Sequence, residues 1–68
     1  MTVPLTVNGA PADVAAGTTV AQLVAARAPD QRRVAVARNG AVVPRSSWAT
    51  TPLVSGDTVE VLAAVAGG

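Results

Sequence analysis

Residues 57–68, DTVEVLAAVAGG, are the stretch from which the fold is best worked out. Val59 and Val61 alternate with polar residues, which is the period of a β-strand with one buried face. The stretch then continues as an apolar run, which favours a strand with neighbours on both sides. A long strand of this kind predicts that the earlier elements are arranged around it.

An antiparallel hairpin is predicted in residues 3–17, VPLTVNGAPADVAAG. Apolar residues alternate with Pro and Thr up to Asn8-Gly9, the dipeptide that most favours the left-handed conformations of a two-residue turn. The strands should cover about residues 2 to 7 and 11 to 15. Pro4 has no N–H to donate to a ladder, so it should lie at a strand start or at a sheet edge.

A helix is predicted in residues 17–29, GTTVAQLVAARAP. Thr19 and Gln22 have the spacing of a capping box, in which each side chain accepts a hydrogen bond from a backbone N–H at the helix start. Arg27 falls in the last turn, where the helix dipole favours a cation, and Pro29 should end the helix at about residue 28. The apolar face consists of Val20, Leu23, Val24 and Ala28.

A second hairpin is predicted in residues 32–45, RRVAVARNGAVVPR, because Asn39-Gly40 separates strands at 34 to 38 and 41 to 43. The residues that follow, SSWATTPLVSGD, are polar and rich in turn formers. Within them, Trp48 and Leu53 should cover one end of a small core, and the last three residues should form the turn into the final strand.

The element order is therefore hairpin, helix, hairpin and final strand, the ββαββ framework of an α+β, β-grasp (ubiquitin-like) roll. Connection rules place the helix on one face of a mixed sheet, with the last strand in the middle, parallel to the first. We expect a β-grasp domain over residues 1–66 and a flexible tail over residues 67–68. The predicted core consists of Leu5, Val7, Val20, Leu23, Val24, Val59 and Val61.

The composition excludes several kinds of function. The 68 residues include no Cys, His, Lys or Tyr, and the four acidic residues do not cluster, so we expect neither a metal site nor an enzyme. The five Arg leave a net charge of only +1 and have no aromatic residues between them, which argues against a nucleic-acid partner. No segment approaches the length of a membrane span and no leader is recognisable, so no membrane contact and a cytoplasmic location are expected.

Two glycines, Gly67 and Gly68, stand at the last positions of the sequence. Chain termini tolerate many residues, so the pair alone is a weak signal. Without Cβ atoms, however, this tail would let the backbone thread a narrow channel and bring a terminal carboxylate to a nucleotide in another protein's active site. Adenylation would activate that carboxylate, and sulfide or a persulfide could then displace AMP to leave a thiocarboxylate. The chain lacks the residues for these steps, so partners would supply them.

Over essentially its full length the chain resembles the ThiS family, the sulfur carriers of thiazole biosynthesis. The resemblance rests on NG near the start, GTTVAQL at the helix entry, VAVARNGAVVPRSSW through the second hairpin, SGDTVEV entering the last strand, and the final GG. The segment SGDTVEV is common to many β-grasp proteins. The combination of VPRSSW, residues 43–48, with the final GG is more specific.

The resemblance implies a carrier protein and not an enzyme. Gly68 would be adenylated by an E1-like adenylyltransferase that uses ATP, while this chain itself binds no cofactor. Gly68 would then receive sulfur from cysteine through a cysteine desulfurase or a sulfurtransferase, and would deliver it to thiazole synthase for thiamine biosynthesis. Gly67 and Ala66 would thread the partners' active sites. The candidate partner contacts are Val65, Arg45 and Trp48.

Other functions stay open on the sequence alone. The small subunit of molybdopterin synthase, or another thiocarboxylate carrier, resembles the fold and tail, although the former is usually longer. A ubiquitin-like modifier would be joined to target lysines, and a plain β-grasp binding module would not need its tail. From the residues themselves, Trp48 is favoured as a core residue over a recognition residue. Arg45 could equally pair with Asp57, with backbone carbonyls or with a partner.

Overall fold

The computed structural model describes residues 1–28 and 34–63, which form a mixed five-stranded sheet with an α-helix. The strand β4 (Ala41–Val42) is the predicted second arm of the second hairpin, two residues long where residues 41 to 43 were predicted. The two predicted hairpins and the final strand amount to five strands, so the label ββαββ is one strand short of the observed sheet. The predicted tail, the boundary at residue 66 and Pro29 lie outside the described residues. The elements are β1 (Thr2–Val7), β2 (Ala10–Ala15), α1 (Val20–Arg27), β3 (Val34–Arg38), β4 (Ala41–Val42), a 3-10 helix (Arg45–Thr50) and β5 (Thr58–Ala63).

The last strand occupies the middle of the sheet, as predicted. The strand order is β2-β1-β5-β3-β4, and β5 runs parallel to β1 and antiparallel to β3. Thr6 lies opposite Thr58 in the parallel pair, and Val36 lies opposite Val61 in the antiparallel pair. The first and last strands are thus neighbours, which is the β-grasp arrangement that the sequence predicted.

Both hairpins turn on their Asn-Gly dipeptides. The φ angles are 52° and 81° at Asn8 and Gly9, and 52° and 83° at Asn39 and Gly40. Positive φ at both central residues matches the twist of antiparallel strands, and Asn and Gly adopt it at the lowest cost. The two predicted turns are confirmed.

Pro4 lies inside β1, a strand with neighbours on both sides, yet its missing N–H leaves no gap in the ladder. Thr6 and Asn8 donate their N–H groups toward β5, so by alternation the nitrogen of Pro4 faces the same side. At that level β5 has not begun, and the Pro4 carbonyl accepts a hydrogen bond from Gly56 N at 2.8 Å. Pro4 therefore occupies a local edge, in line with the prediction.

The helix α1 begins with the predicted capping box. Gln22 N donates to Thr19 Oγ1 at 3.3 Å, and Thr19 N donates to Gln22 Oε1 at 3.0 Å. The helix ends at Arg27, and the N–H of Ala28 closes the last turn on the Val24 carbonyl at 2.7 Å. Val24 and the rest of the predicted apolar face point into the sheet, so α1 covers one face of it.

All seven residues predicted for the core are buried, and four more join them. Trp48 and Leu53 are 4% and 2% exposed, which confirms that both belong to the core. The segment around Trp48, predicted only as polar and turn-rich, folds as the 3-10 helix. The buried hydrophobic residues are Leu5, Val7, Val20, Leu23, Val24, Val34, Val36, Trp48, Leu53, Val59 and Val61.

Candidate functional site at the end of the central strand

The predicted site lies where the chain continues beyond β5. Val65, Ala66, Gly67 and Gly68 fall outside the described residues, and the last described residue is Ala63. Because β5 is the central strand, the predicted carrier segment follows directly from the middle of the sheet. The groups that hold or surround the last described residues of β5 therefore define the described part of the site, and the groups at Thr58 fix the other end of the strand.

Asn8 holds the second half of β5. The backbone pairing of β1 with β5 runs through Val7, opposite Val59, before β1 turns away. One residue later the Asn8 side chain continues the ladder, because Val61 N donates to Asn8 Oδ1 at 2.8 Å and Asn8 Nδ2 donates to the Val61 carbonyl at 3.2 Å. Sequence reasoning recognised Asn8 as a turn former and missed this second role.

Asn39 holds the first residues of β5 in a similar way. Its side-chain oxygen accepts from Thr58 N at 2.8 Å, and its backbone N–H donates to the Thr58 carbonyl at 2.7 Å. Its Nδ2 donates to Asp57 Oδ1 at 3.0 Å. The two turn asparagines therefore hydrogen-bond the central strand at two different residues, Asn39 at Thr58 and Asn8 at Val61.

Asp57 sits just before β5 with a carboxylate that is 3% exposed. It accepts hydrogen bonds from Arg38 Nε at 2.9 Å, from Asn39 Nδ2 and from the Val54 N–H at 2.9 Å. Burial alone would raise the pKa of Asp57, but these hydrogen bonds and the Arg38 charge outweigh it and lower the pKa below its ordinary value of 3.8. The ionised Asp57 thus fixes the turn into β5.

Arg45 and Trp48, the candidate contacts in the described part of the chain, lie together. The Arg45 guanidinium stacks 4.6 Å from the centre of the Trp48 ring, and Trp48 Nε1 donates to the Val43 carbonyl at 2.9 Å. The sequence left open whether Arg45 pairs with Asp57. In the structure Asp57 forms its salt bridge with Arg38. Since Trp48 is almost fully buried, the exposed part of this pair is Arg45.

An apolar patch lies on the sheet face opposite α1, beside the last described residues of β5. Residues opposite each other on paired strands share a face. Ala35 lies opposite Leu62, and Ala37 lies opposite Val42 on one side and opposite the exposed Glu60 on the other, so Glu60 borders these apolar residues on the same face. Leu62 and Val42 are 60% and 76% exposed. We call Ala35, Ala37, Val42 and Leu62 the outer-face patch.

The described residues offer little chemistry of their own. Within residues 1–28 and 34–63, no group of three or more His, Cys, Asp or Glu is placed to hold a metal ion. In the same part of the chain, no helix is long and apolar enough to cross a membrane. Every buried side-chain nitrogen or oxygen described has a hydrogen-bond partner, so these residues leave no orphaned polar group awaiting a ligand.

Known proteins resemble the chain along most of its length. Residues 5–68 match the sequence model of the ThiS family. A protein of Paramagnetospirillum magneticum named thiazole synthase is 39% identical over 64 residues, which make up 94% of this chain and 20% of that protein, so the chain spans a fifth of this relative. The crystal structure of the thiamine biosynthesis protein ThiS from Geobacter metallireducens matches 97% of this chain and 100% of that one, with a TM-score of 0.81 and 36% identity.

Proposed function

The chain belongs to the ThiS family of small sulfur carriers, and we propose that in thiamine biosynthesis Gly68 carries the sulfur as a C-terminal thiocarboxylate. The observation that supports this most directly is that the match to the family extends through Gly68. The proposal requires Gly68 to end in a free carboxylate. A rigid sheet beneath that segment would present it to other proteins.

The proposed reaction has two steps. The Gly68 carboxylate attacks the α-phosphate of ATP and releases pyrophosphate, which gives an acyl-adenylate. Sulfide then attacks the acyl carbon, AMP leaves, and a proton is released to solvent. If a protein persulfide is the donor, attack first gives an acyl disulfide, and a thiol must then reduce it to the thiocarboxylate. Either route replaces one carboxyl oxygen of Gly68 with sulfur.

Partners would carry out both steps, because this chain has no Cys, His, Lys or Tyr. We infer an E1-like adenylyltransferase that binds the ATP, and a cysteine desulfurase or sulfurtransferase that provides the sulfur. Thiazole synthase is the proposed acceptor, and the relative of that name that contains a similar segment supports it. We therefore propose that the chain acts in the cytoplasm.

We infer that the partners recognise the outer-face patch together with the tail. Leu62 is 60% exposed and directly precedes the last described residue. An apolar surface beside the reacting segment would let a partner bind the sheet while the tail enters its active site. Arg45 is a further proposed contact. Trp48 would act mainly by supporting Arg45, because it is 4% exposed.

Intact-protein mass spectrometry tests the proposal. The full chain is incubated with an E1-like adenylyltransferase, ATP, cysteine and a desulfurase. A fragment that ends at Gly68 should become heavier by the difference between a sulfur and an oxygen atom, and the change should require ATP. A variant without residues 67–68 is the control and should stay unchanged. Attachment of the chain to larger proteins would instead indicate a modifier.

A genetic experiment separates the thiazole pathway from other sulfur-requiring pathways. Cells that produce only the variant lacking residues 67–68 should require thiazole for growth, and added thiazole should restore it. A requirement for molybdopterin would favour the molybdopterin synthase alternative. Normal growth without supplements would contradict any carrier function for the tail.

A further inference from the structure

The end of β5 that leads to the tail is held differently on its two sides. On one side, β3 pairs with it through Ala35 opposite Leu62 and Val34 opposite Ala63. On the other side, β1 leaves the sheet at the turn after Val7. A strand held on one side only is the part of a sheet that frays most readily.

Asn8 compensates for the departure of β1. A side-chain amide has the same donor and acceptor as a peptide group, so one Asn can replace one residue of a neighbouring strand. At Asn8 both halves of the amide are used on Val61, at 2.8 Å and 3.2 Å. The contact joins residues 53 apart in the sequence, so it connects the first turn to the end of the last strand.

We propose that Asn8 is a positioning residue for the C-terminal segment. By holding Val61 on the side that β1 vacates, it keeps the last described residues of β5 in the sheet and so fixes the point from which the chain continues toward Gly68. Each residue released from the sheet must be ordered again when the tail enters an active site, at a cost in backbone entropy. The positioning role rests on the proposed function of Gly68. The stabilisation of the end of β5 by the Asn8 hydrogen bonds does not depend on that function.

The test replaces Asn8→Gly, because glycine adopts the φ of 52° found at this position without strain and only the amide is lost. Asn39→Gly is the matched control at the second turn, since Asn39 has the same φ but grips β5 at Thr58, at the opposite end of the strand. Asn8→Asp is a second variant that also suits a tight turn. It can accept from Val61 N–H, but as a carboxylate it cannot donate to the Val61 carbonyl.

The first readout is amide hydrogen exchange in the full chain. Exchange at Val61 and Leu62 should be at least about tenfold faster in Asn8→Gly, relative to Val24 in α1, which reports global unfolding. Asn39→Gly should leave this ratio unchanged, and Asn8→Asp should fall between Asn8→Gly and the natural chain. If the exchange rate at the end of β5 relative to Val24 is the same in Asn8→Gly and Asn39→Gly, then Asn8 does not stabilise the end of the strand, and the proposal is wrong.

The second readout is adenylation by an E1-like adenylyltransferase, followed by pyrophosphate release at saturating ATP. Asn8→Gly should raise KM for the carrier about tenfold, a loss of about 1.4 kcal/mol, with kcat unchanged because Gly68 itself is unchanged. Asn39→Gly should leave KM unchanged even where it lowers stability. Equal KM values for these two variants, together with faster exchange in Asn8→Gly alone, would overturn the positioning role. If the natural chain is not adenylated at all, the proposed function fails, and exchange still decides whether Asn8 holds the strand.

Discussion

Arg38 and Asp57 pair at the entry to the central strand, with Arg38 Nε donating to Asp57 Oδ2 at 2.9 Å. The Asp57 side chain is 3% exposed and the Arg38 side chain is 30% exposed, so the carboxylate depends on its protein partners far more than the guanidinium does. The same carboxylate also accepts hydrogen bonds from the Asn39 side chain, in the turn of the second hairpin, and from the N–H of Val54, in the turn before β5. Asp57 therefore joins the second hairpin, the turn before β5 and β5 itself.

Asp57→Asn should lower the free energy of unfolding by about 1–3 kcal/mol, because a buried charge-assisted network is left partly unpaired. Urea unfolding followed by circular dichroism measures the change. Glu60→Gln is the matched control, since Glu60 is an exposed acid in β5, the strand that Asp57 precedes, and its effect should be within about 0.5 kcal/mol. Equal effects of the two substitutions would contradict the role assigned to Asp57.

The stability of the fold should fall in acid because of Asp57. Its folded-state pKa lies below the ordinary value of 3.8, so the unfolded chain binds more protons in that range. The contribution is complete well above 3.8 and is lost as the pH falls through the lower, folded-state pKa. Urea midpoints measured from neutral pH down to about pH 2.5 should show this loss. The loss should be smaller in Asp57→Asn, and an identical pH profile in that variant would argue against the assignment.

Leu62→Glu should weaken partner binding without unfolding the chain. Leu62 is 60% exposed, so the unfolding free energy should change by no more than about 0.5 kcal/mol. A second carboxylate beside Glu60, in place of the exposed apolar side chain, should raise KM for adenylation about tenfold or more. Val54→Glu is the control, because Val54 is 48% exposed but lies in the turn before β5, outside the sheet. If both variants behave like the natural chain, the outer-face patch is not the binding surface.

Thr19→Ala should destabilise the fold by about 1 kcal/mol, because the N–H of Gln22 loses its acceptor at the helix start. Gln22→Ala removes the reciprocal bond to Thr19 N. Since the two bonds support each other, the double variant should cost less than the sum of the single ones. Thermal unfolding of all four proteins measures this coupling, and strict additivity would indicate that the capping box does not act as a unit.

Much of the fold could be predicted because its signals are local. Asn-Gly at 8–9 and 39–40 determines both hairpins, and Thr19 with Gln22 marks the helix start. The central place of β5 followed from its length and from connection rules. The 3-10 helix at Arg45–Thr50 could not be foreseen, because its residues suit several kinds of turn and the packing of Trp48 decides among them.

The site was harder to predict than the fold, because its contacts join distant parts of the chain. The Asn8 amide bonds to Val61, 53 residues away in the sequence. Because an Asn before Gly is already expected in a tight turn, the sequence gives no separate indication of this contact. In the same way, composition alone could not decide which arginine pairs with Asp57. The predicted roles of Val65, Ala66, Gly67 and Gly68 come from resemblance and chemistry, and they stay predictions.

The pairing of β1 with β5 also has a consequence for biosynthesis. Thr6 cannot pair with β5 at Thr58 until the ribosome has synthesised residues 58–63 and these residues have left the exit tunnel. Until then both hairpins lack the strand that joins them, so a nascent or prematurely terminated chain exposes apolar edges and is open to proteolysis. The architecture thus favours the survival of molecules whose synthesis has run past β5, and only those could carry a cargo beyond it.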